Sequence, residues 1–121
     1  MVRSQRHLPG RSTEEVIVRA MKKEEHVKEN IKDVLRSVGD KCYWFMPPAN
    51  GFGRAGIPDF VGWVEGQAFA IEAKFGGNDC SVPQLLEIEK GTRAGAKIWI
   101  VRETTIEQWE AEFKGWVALC L

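Results

Sequence analysis

Asp59, Glu72 and Lys74 are ionisable residues set into two apolar runs, "DFVGWV" and "QAFAIEAKF", which flank the pair Glu65-Gly66. The β-branched and aromatic content of both runs predicts strands, and the short glycine-containing pair between them predicts a two-residue hairpin turn. Such a turn sets Val64 against Gln67, and therefore Phe60 against Ile71 and Asp59 against Glu72. Cross-strand Cβ atoms lie about 5 Å apart, where like charges are destabilising unless something compensates them. Strand alternation places Lys74 on the face of Glu72. Two compensations are open. Either Lys74 neutralises the acids at a wet edge of the sheet, or the two carboxylates hold a hard divalent cation such as Mg²⁺, which takes oxygen ligands and keeps waters for chemistry. The apolar context of "AFAIEAKF", expected of a strand buried on both faces, favours the cation, because buried charge needs strong pairing or a metal. A three-residue turn would shift Asp59 by one position and undo this pairing.

The elements that must position these groups follow from periodicity. Ser12 to Val38 carries a helical pattern, with Ser12 and Glu15 spaced as a capping box. Val16, Ile17, Ala20, Val27, Ile31, Val34, Leu35 and Val38 share one face at about 100° per residue. The stripe is interrupted at Lys22 to His26, which leaves one long helix or two, and Gly39 ends it. Glu24 lies inside the stripe, between Ala20 and Val27, whereas Glu25 points to the opposite side. A helix docked on the sheet would deliver the Glu24 carboxylate to Asp59 and Glu72; the alternative is that Glu24 turns outward beside Lys23 or Lys28.

Further along, "CYWFM" reads as a short, largely buried strand stopped by Pro47 and Pro48. Ser81 and Gln84 form a second capping box, with Pro83 in the first helical turn and the helix ending near residues 92–94 before Gly95. "KIWIV" predicts another buried strand and "TTIEQWEAEF" another short helix. The order α-β-β-β-α-β-α is a mixed α/β domain, without repeats, linkers or low-complexity tracts, spanning residues 1–121 as one unit.

In "NGFGRAGIPD", Gly51, Gly53 and Gly56 have the G-x-G-x-x-G spacing of a dinucleotide-binding loop. That function needs a helix after the glycines to face the pyrophosphate. Here Pro58 biases Ile57 to extended backbone and a strand follows, so the segment reads as a glycine loop leading to Asp59. The three glycines are expected to let this loop pass close to a bound strand.

The 121 residues suffice for one core without disulfides. No apolar run approaches the roughly 18 residues of a membrane span, and the basic, polar N-terminus has no apolar stretch of a signal peptide, so a cytoplasmic protein is expected. Cys42, Cys80 and Cys120 are widely spaced and odd in number, which predicts reduced thiols, and with His7 and His26 they show no zinc spacing. Seventeen basic and seventeen acidic residues cancel, so any nucleic-acid contact must be local. The lopsided segment is residues 1–11, with Arg3, Arg6 and Arg11 and no acid; it reads either as a solvated, flexible terminus or as a phosphate-contacting arm.

Pro58-Asp59, twelve intervening residues, then Glu72-Ala73-Lys74 resemble the signature of the PD-(D/E)xK nuclease superfamily. With "YWFMPPANGFGRAGIPDFVGWVEGQAFAIEAK", "SVPQ" and "AGAKIWIV", the chain from about Glu24 to Val101 is similar to the VRR-NUC family, in particular to its small stand-alone members of the phage type. The resemblance implies a restriction-endonuclease-like core, α-β-β-β-α-β, with a central mixed sheet flanked by helices. It implies Asp59, Glu72 and the backbone carbonyl of Ala73 as ligands of Mg²⁺ or Mn²⁺, Glu24 as the family's helix-one glutamate and a further candidate ligand, Lys74 as the group steadying water or transition state, and Gln84 as the glutamine of the following helix. Where many relatives carry Pro-Thr before that glutamine, this chain has Cys80-Ser81 and an added Pro83; the hydroxyl is retained.

The implied function is a metal-dependent DNA endonuclease that leaves a 5′-phosphate. A chain this short has little surface for base readout, which favours recognition of DNA structure: branched, Holliday-junction-like, supercoiled or cruciform. Two-fold substrates suit a homodimer, with the N-terminal helix or residues Trp109 to Leu121 in its interface; Trp109, Phe113, Trp116 and Leu119 read equally as core. Arg3, Arg6, Arg11 and Arg54 are candidate phosphate contacts. If phage-encoded, the protein would act in the host cytoplasm. The competing reading is a non-catalytic nucleic-acid-binding domain on the same fold, which would have no use for acids beside a phosphate.

Overall fold

The computed structural model describes residues 13–48 and 53–121, and of the first helix the side chains from Lys23 onward. Arg3, Arg6, Arg11, the Ser12 cap and Gly51 lie outside the described residues. The elements are α1 (Thr13–Val38), β1 (Cys42–Phe45), β2 (Phe60–Val64), β3 (Gln67–Lys74), α2 (Val82–Arg93), β4 (Lys97–Arg102) and α3 (Ile106–Cys120). They form a mixed α/β structure with one four-stranded sheet in the order β1-β2-β3-β4, flanked by helices. β1, β2 and β3 are antiparallel neighbours, and β4 joins β3 in parallel after the α2 crossover. None of the described helices is long and apolar enough to cross a membrane.

α1 is one helix, not two. Its backbone runs unbroken through residues 22–26, and beyond them Val27, Ile31, Val34 and Leu35 are buried on one face. Gly39, at φ +91°, takes the left-handed conformation that ends it, with its N–H donated to Arg36 O.

The hairpin turn is as tight as expected. Glu65 and Gly66 have φ of 48° and 80°, the doubly positive pattern of a type I′ turn whose twist matches that of the strands. The register follows: Val64 pairs with Gln67 and Phe60 with Ile71.

Alternation along these strands defines two faces. Cys42, Phe60, Val64, Phe69, Ile71, Ala73, Trp99 and Val101 are buried against α1 and α3. Phe69, Trp99, Trp109, Phe113 and Trp116 interlock there, mostly edge to face with centroids 5.2–6.0 Å apart, the preferred geometry of aromatic quadrupoles. Gly62 makes room for the Phe69 ring, whose Cζ would stand 2.6 Å from an added Cβ.

The opposite face is covered at its β4 side by α2. There Gly91 admits Ile98, whose Cδ1 would lie 2.7 Å from an added Cβ. Three expectations are corrected. β1 is not largely buried, because its alternate residues Tyr43 and Phe45 are exposed. β4 likewise exposes Ile100, as an edge strand does. α3 runs seven residues beyond Phe113: Gly115 costs about 1 kcal/mol in a helix, and burial of Val117 with half-burial of Trp116 offsets it.

Candidate active site

The site is built where β2 begins and β3 ends. Asp59 stands one residue before β2. Its Oδ2 accepts the Ala73 N–H at 2.8 Å, so the side chain takes a backbone donor just past the last β2–β3 rung. Asp59 and Glu72 therefore adjoin as the register requires, but Asp59 meets the strand through its carboxylate and not as a further rung.

Glu72 and Lys74 both project on the face opposite the main core, and are the two buried charged residues among those described, 3% and 9% exposed. Their Oε2 and Nζ atoms lie 3.5 Å apart.

Gln84 ties them together. Its Nε2 donates to Glu72 Oε2 at 2.7 Å, and its Oε1 accepts from Lys74 Nζ at 2.9 Å. The same Oε1 accepts the Ser81 N–H at 2.8 Å, while the Gln84 N–H donates to Ser81 Oγ at 3.3 Å. The capping box and the contact with the acids are one arrangement: the side chain that caps α2 also fixes the carboxylate and ammonium beneath it.

Glu24 does not complete a third carboxylate ligand. Among the described residues, no three His, Cys, Asp or Glu side chains group as a metal site. Lys28, one turn after Glu24, is the helix residue that reaches the cluster, with Nζ 3.7 Å from Asp59 Oδ1 and 3.3 Å from Glu25 Oε1. Spacing offered a hint, since Lys28 is four residues from Glu24, but its pairing with Asp59 joins elements that no local pattern connects.

Arg54 is 3.2 Å from Glu87 of α2, although its own guanidinium remains mostly exposed. Gly56, at φ +84°, lies against α2: an added Cβ would collide with the Pro83 carbonyl and stand 2.7 Å from the Gln84 nitrogen. Its freedom brings the loop against the helix that carries Gln84, whereas the sequence suggested close approach to a bound strand. Between this loop, α1 and the residues that follow β1 lies a cleft of about 510 Å³, lined by Lys28, Met46, Pro47, Arg54, Gly56 and Asp59, among others.

The electrostatics follow from burial. Burial, and then the neighbouring Asp59 charge, push the Glu72 carboxyl up to about 7 against the opposing pull of Lys74. Burial works to lower the Lys28 pKa, but the Asp59 charge together with Glu25 and Glu24 outweighs it and holds the ammonium above its ordinary value. Cys42, Cys80 and Cys120 are free thiols. Burial pushes Cys42 up to about 11, which makes it a poor nucleophile.

Two adjoining carboxylates, each facing one ammonium group, are oxygen donors of the kind a hard divalent ion takes. Mg²⁺ takes one or two carboxylates and fills its octahedron with waters, so the missing third side-chain ligand is no obstacle. No family model matches the chain, and no curated protein matches it in sequence.

Proposed function

We propose that the chain is a Mg²⁺- or Mn²⁺-dependent endodeoxyribonuclease of the VRR-NUC type, with a restriction-endonuclease-like core, acting on branched or distorted duplex DNA. The observation that carries this reading is the unit formed by Glu72, Lys74 and Gln84, locked by hydrogen bonds beside Asp59 at the mouth of a cleft. A purely structural ion pair would not need a second carboxylate within reach of the first.

Asp59, Glu72 and the Ala73 carbonyl are the oxygen donors that would hold the ion. A bound divalent cation supplies a water of lowered pKa and neutralises charge growing on the phosphate. The Ala73 N–H and Lys28 hold the Asp59 carboxylate in one orientation. Gln84 holds Glu72 by its amide nitrogen and Lys74 by its amide oxygen, so both meet the substrate already oriented. Lys74 places a fixed positive charge beside the reacting phosphate, stabilising negative charge where it develops. In-line attack leaves a 5′-phosphate and a 3′-hydroxyl. A symmetric homodimer would present two such sites to a two-fold junction.

Supercoiled plasmid and a four-way junction, each incubated with Mg²⁺ or Mn²⁺, test this. Wild type should nick or resolve at least one of them, and Asp59→Ala and Lys74→Ala should each slow cleavage by about 100-fold or more. Intact DNA with wild type, or equal cutting by the variants, would remove the nuclease reading.

A further inference from the structure

The face that bears Glu72 and Lys74 continues onto β2 and β1, and there it is aromatic where an exposed strand is ordinarily polar. Tyr43 is 64%, Trp63 43% and Phe45 41% exposed. Tyr43 is paired directly with Trp63 across the strands, and Phe45 follows Tyr43 by one alternation on the same side. Their rings lie side by side: Trp63 is 5.8 Å from Tyr43 and 6.4 Å from Phe45, at interplanar angles of 33° and 27°. Tyr43 and Phe45 are themselves inclined at 53°, so the three rings form a cluster of exposed aromatic faces bridged by Trp63, open to solvent unlike the buried interlock of the core.

The position of this surface connects it to the site. Phe45 pairs with Val61, which pairs with Ala70, two residues before Glu72. Two strand spacings across and two residues along put the Phe45 and Glu72 backbones roughly 12 Å apart. Ala68 and Ala70 of β3 leave the intervening strip low. Beyond Phe45 the chain enters the cleft through Met46 and Pro47, where Lys28 and Arg54 stand.

We propose that Tyr43, Phe45 and Trp63 form a stacking platform for two or three unpaired bases of a nucleic-acid strand whose backbone enters the Asp59–Glu72 site. Exposed aromatic faces beside a cleft that carries Lys28 and Arg54 suit bases of any sequence, since every base has a π-face. At the far end of the stripe near the turn Asp40 and Glu65 outnumber Lys41, so the platform lies toward the cleft, where Lys28 and Arg54 stand. A second copy of the chain would be the other claimant for an apolar patch, but the continuity of this one with the acid-lined end of the sheet favours a strand. The inference deepens the nuclease reading, on which it rests for the identity of the strand, by assigning substrates with a single-stranded portion at the site.

Binding in EDTA separates the two readings, because it needs no cleavage. The probes are a labelled oligothymidylate of about ten nucleotides, its abasic counterpart with the same phosphates, and a blunt duplex. Wild type should bind the oligothymidylate at least about tenfold more tightly than the abasic strand, and Tyr43→Ala and Trp63→Ala should each erase about tenfold. Trp63→Phe should recover most of the affinity, and duplex binding should be unchanged. Equal affinity for thymidylate and abasic strands, or unchanged binding by the alanine variants, would overturn the platform even if the protein cuts DNA. A shift of oligomeric state in the alanine variants, followed by sedimentation, would reassign the face to an interface between copies. Thymidylate binding without cleavage of any DNA would keep the platform and sink the nuclease.

Discussion

Glu72 is the residue on which most forces converge. The folded chain holds its proton more tightly than an unfolded chain does, since its pKa rises from the ordinary 4.5 to about 7. Its contribution to stability is therefore full below about pH 4.5 and is lost as the pH rises through about 7. The metal-free protein should lose up to about 3 kcal/mol at this position between those limits. Urea midpoints of wild type and Glu72→Gln, compared from pH 4.5 to 8, should show the variant gaining relative to wild type as the pH rises. A constant difference would mean that the carboxylate is not destabilised by its surroundings. The Asp59–Glu72 neighbourhood was legible in the sequence because one turn sets one register. Lys28 was not, because the partner that identifies it is 31 positions away on another element, and helix periodicity reports only which side a residue faces.

At the scale of elements, α2 is both a scaffold and a lever. Its capping residue Gln84 reaches the acids, and Gly56 presses on its first turn. Gly56→Ala must either abandon φ +84° or push the helix start away, taking the Gln84 amide with it. Loss of about 1–3 kcal/mol in urea unfolding is expected, together with slower cleavage. An unchanged midpoint would show that the loop relaxes without moving α2. Capping boxes are legible because their signal is local, and the one at Ser81 and Gln84 is present as read. The exposure of β1 was hidden for the converse reason: "CYWFM" is apolar throughout, and composition does not tell which alternate side chains find a helix above them. α3 outran its reading because packing of residues after Gly115 overrides a local penalty.

The whole molecule carries no net charge, and Lys28 and Arg54 already face carboxylates. DNA binding should then depend on few phosphates. A plot of log affinity for duplex DNA against log salt should have a slope of about −2 to −4, equivalent to roughly two to four contacts. Fluorescence anisotropy over a salt series measures it, and a slope near −8 would contradict so narrow a footprint. The mixed α/β layering was legible because each period is written into its own segment. How loop, helix and sheet end meet was not, since that depends on contacts between segments. The turn at Glu65-Gly66 has a consequence for descent. It lies at the far end of the hairpin from the acids, and its length alone decides which residue of β2 faces which of β3. One codon added there would leave every acid, the lysine and the glutamine spelled as before and still dissolve the site. Lineages of this chain can vary the letters of the turn among residues that take positive φ, but not their count.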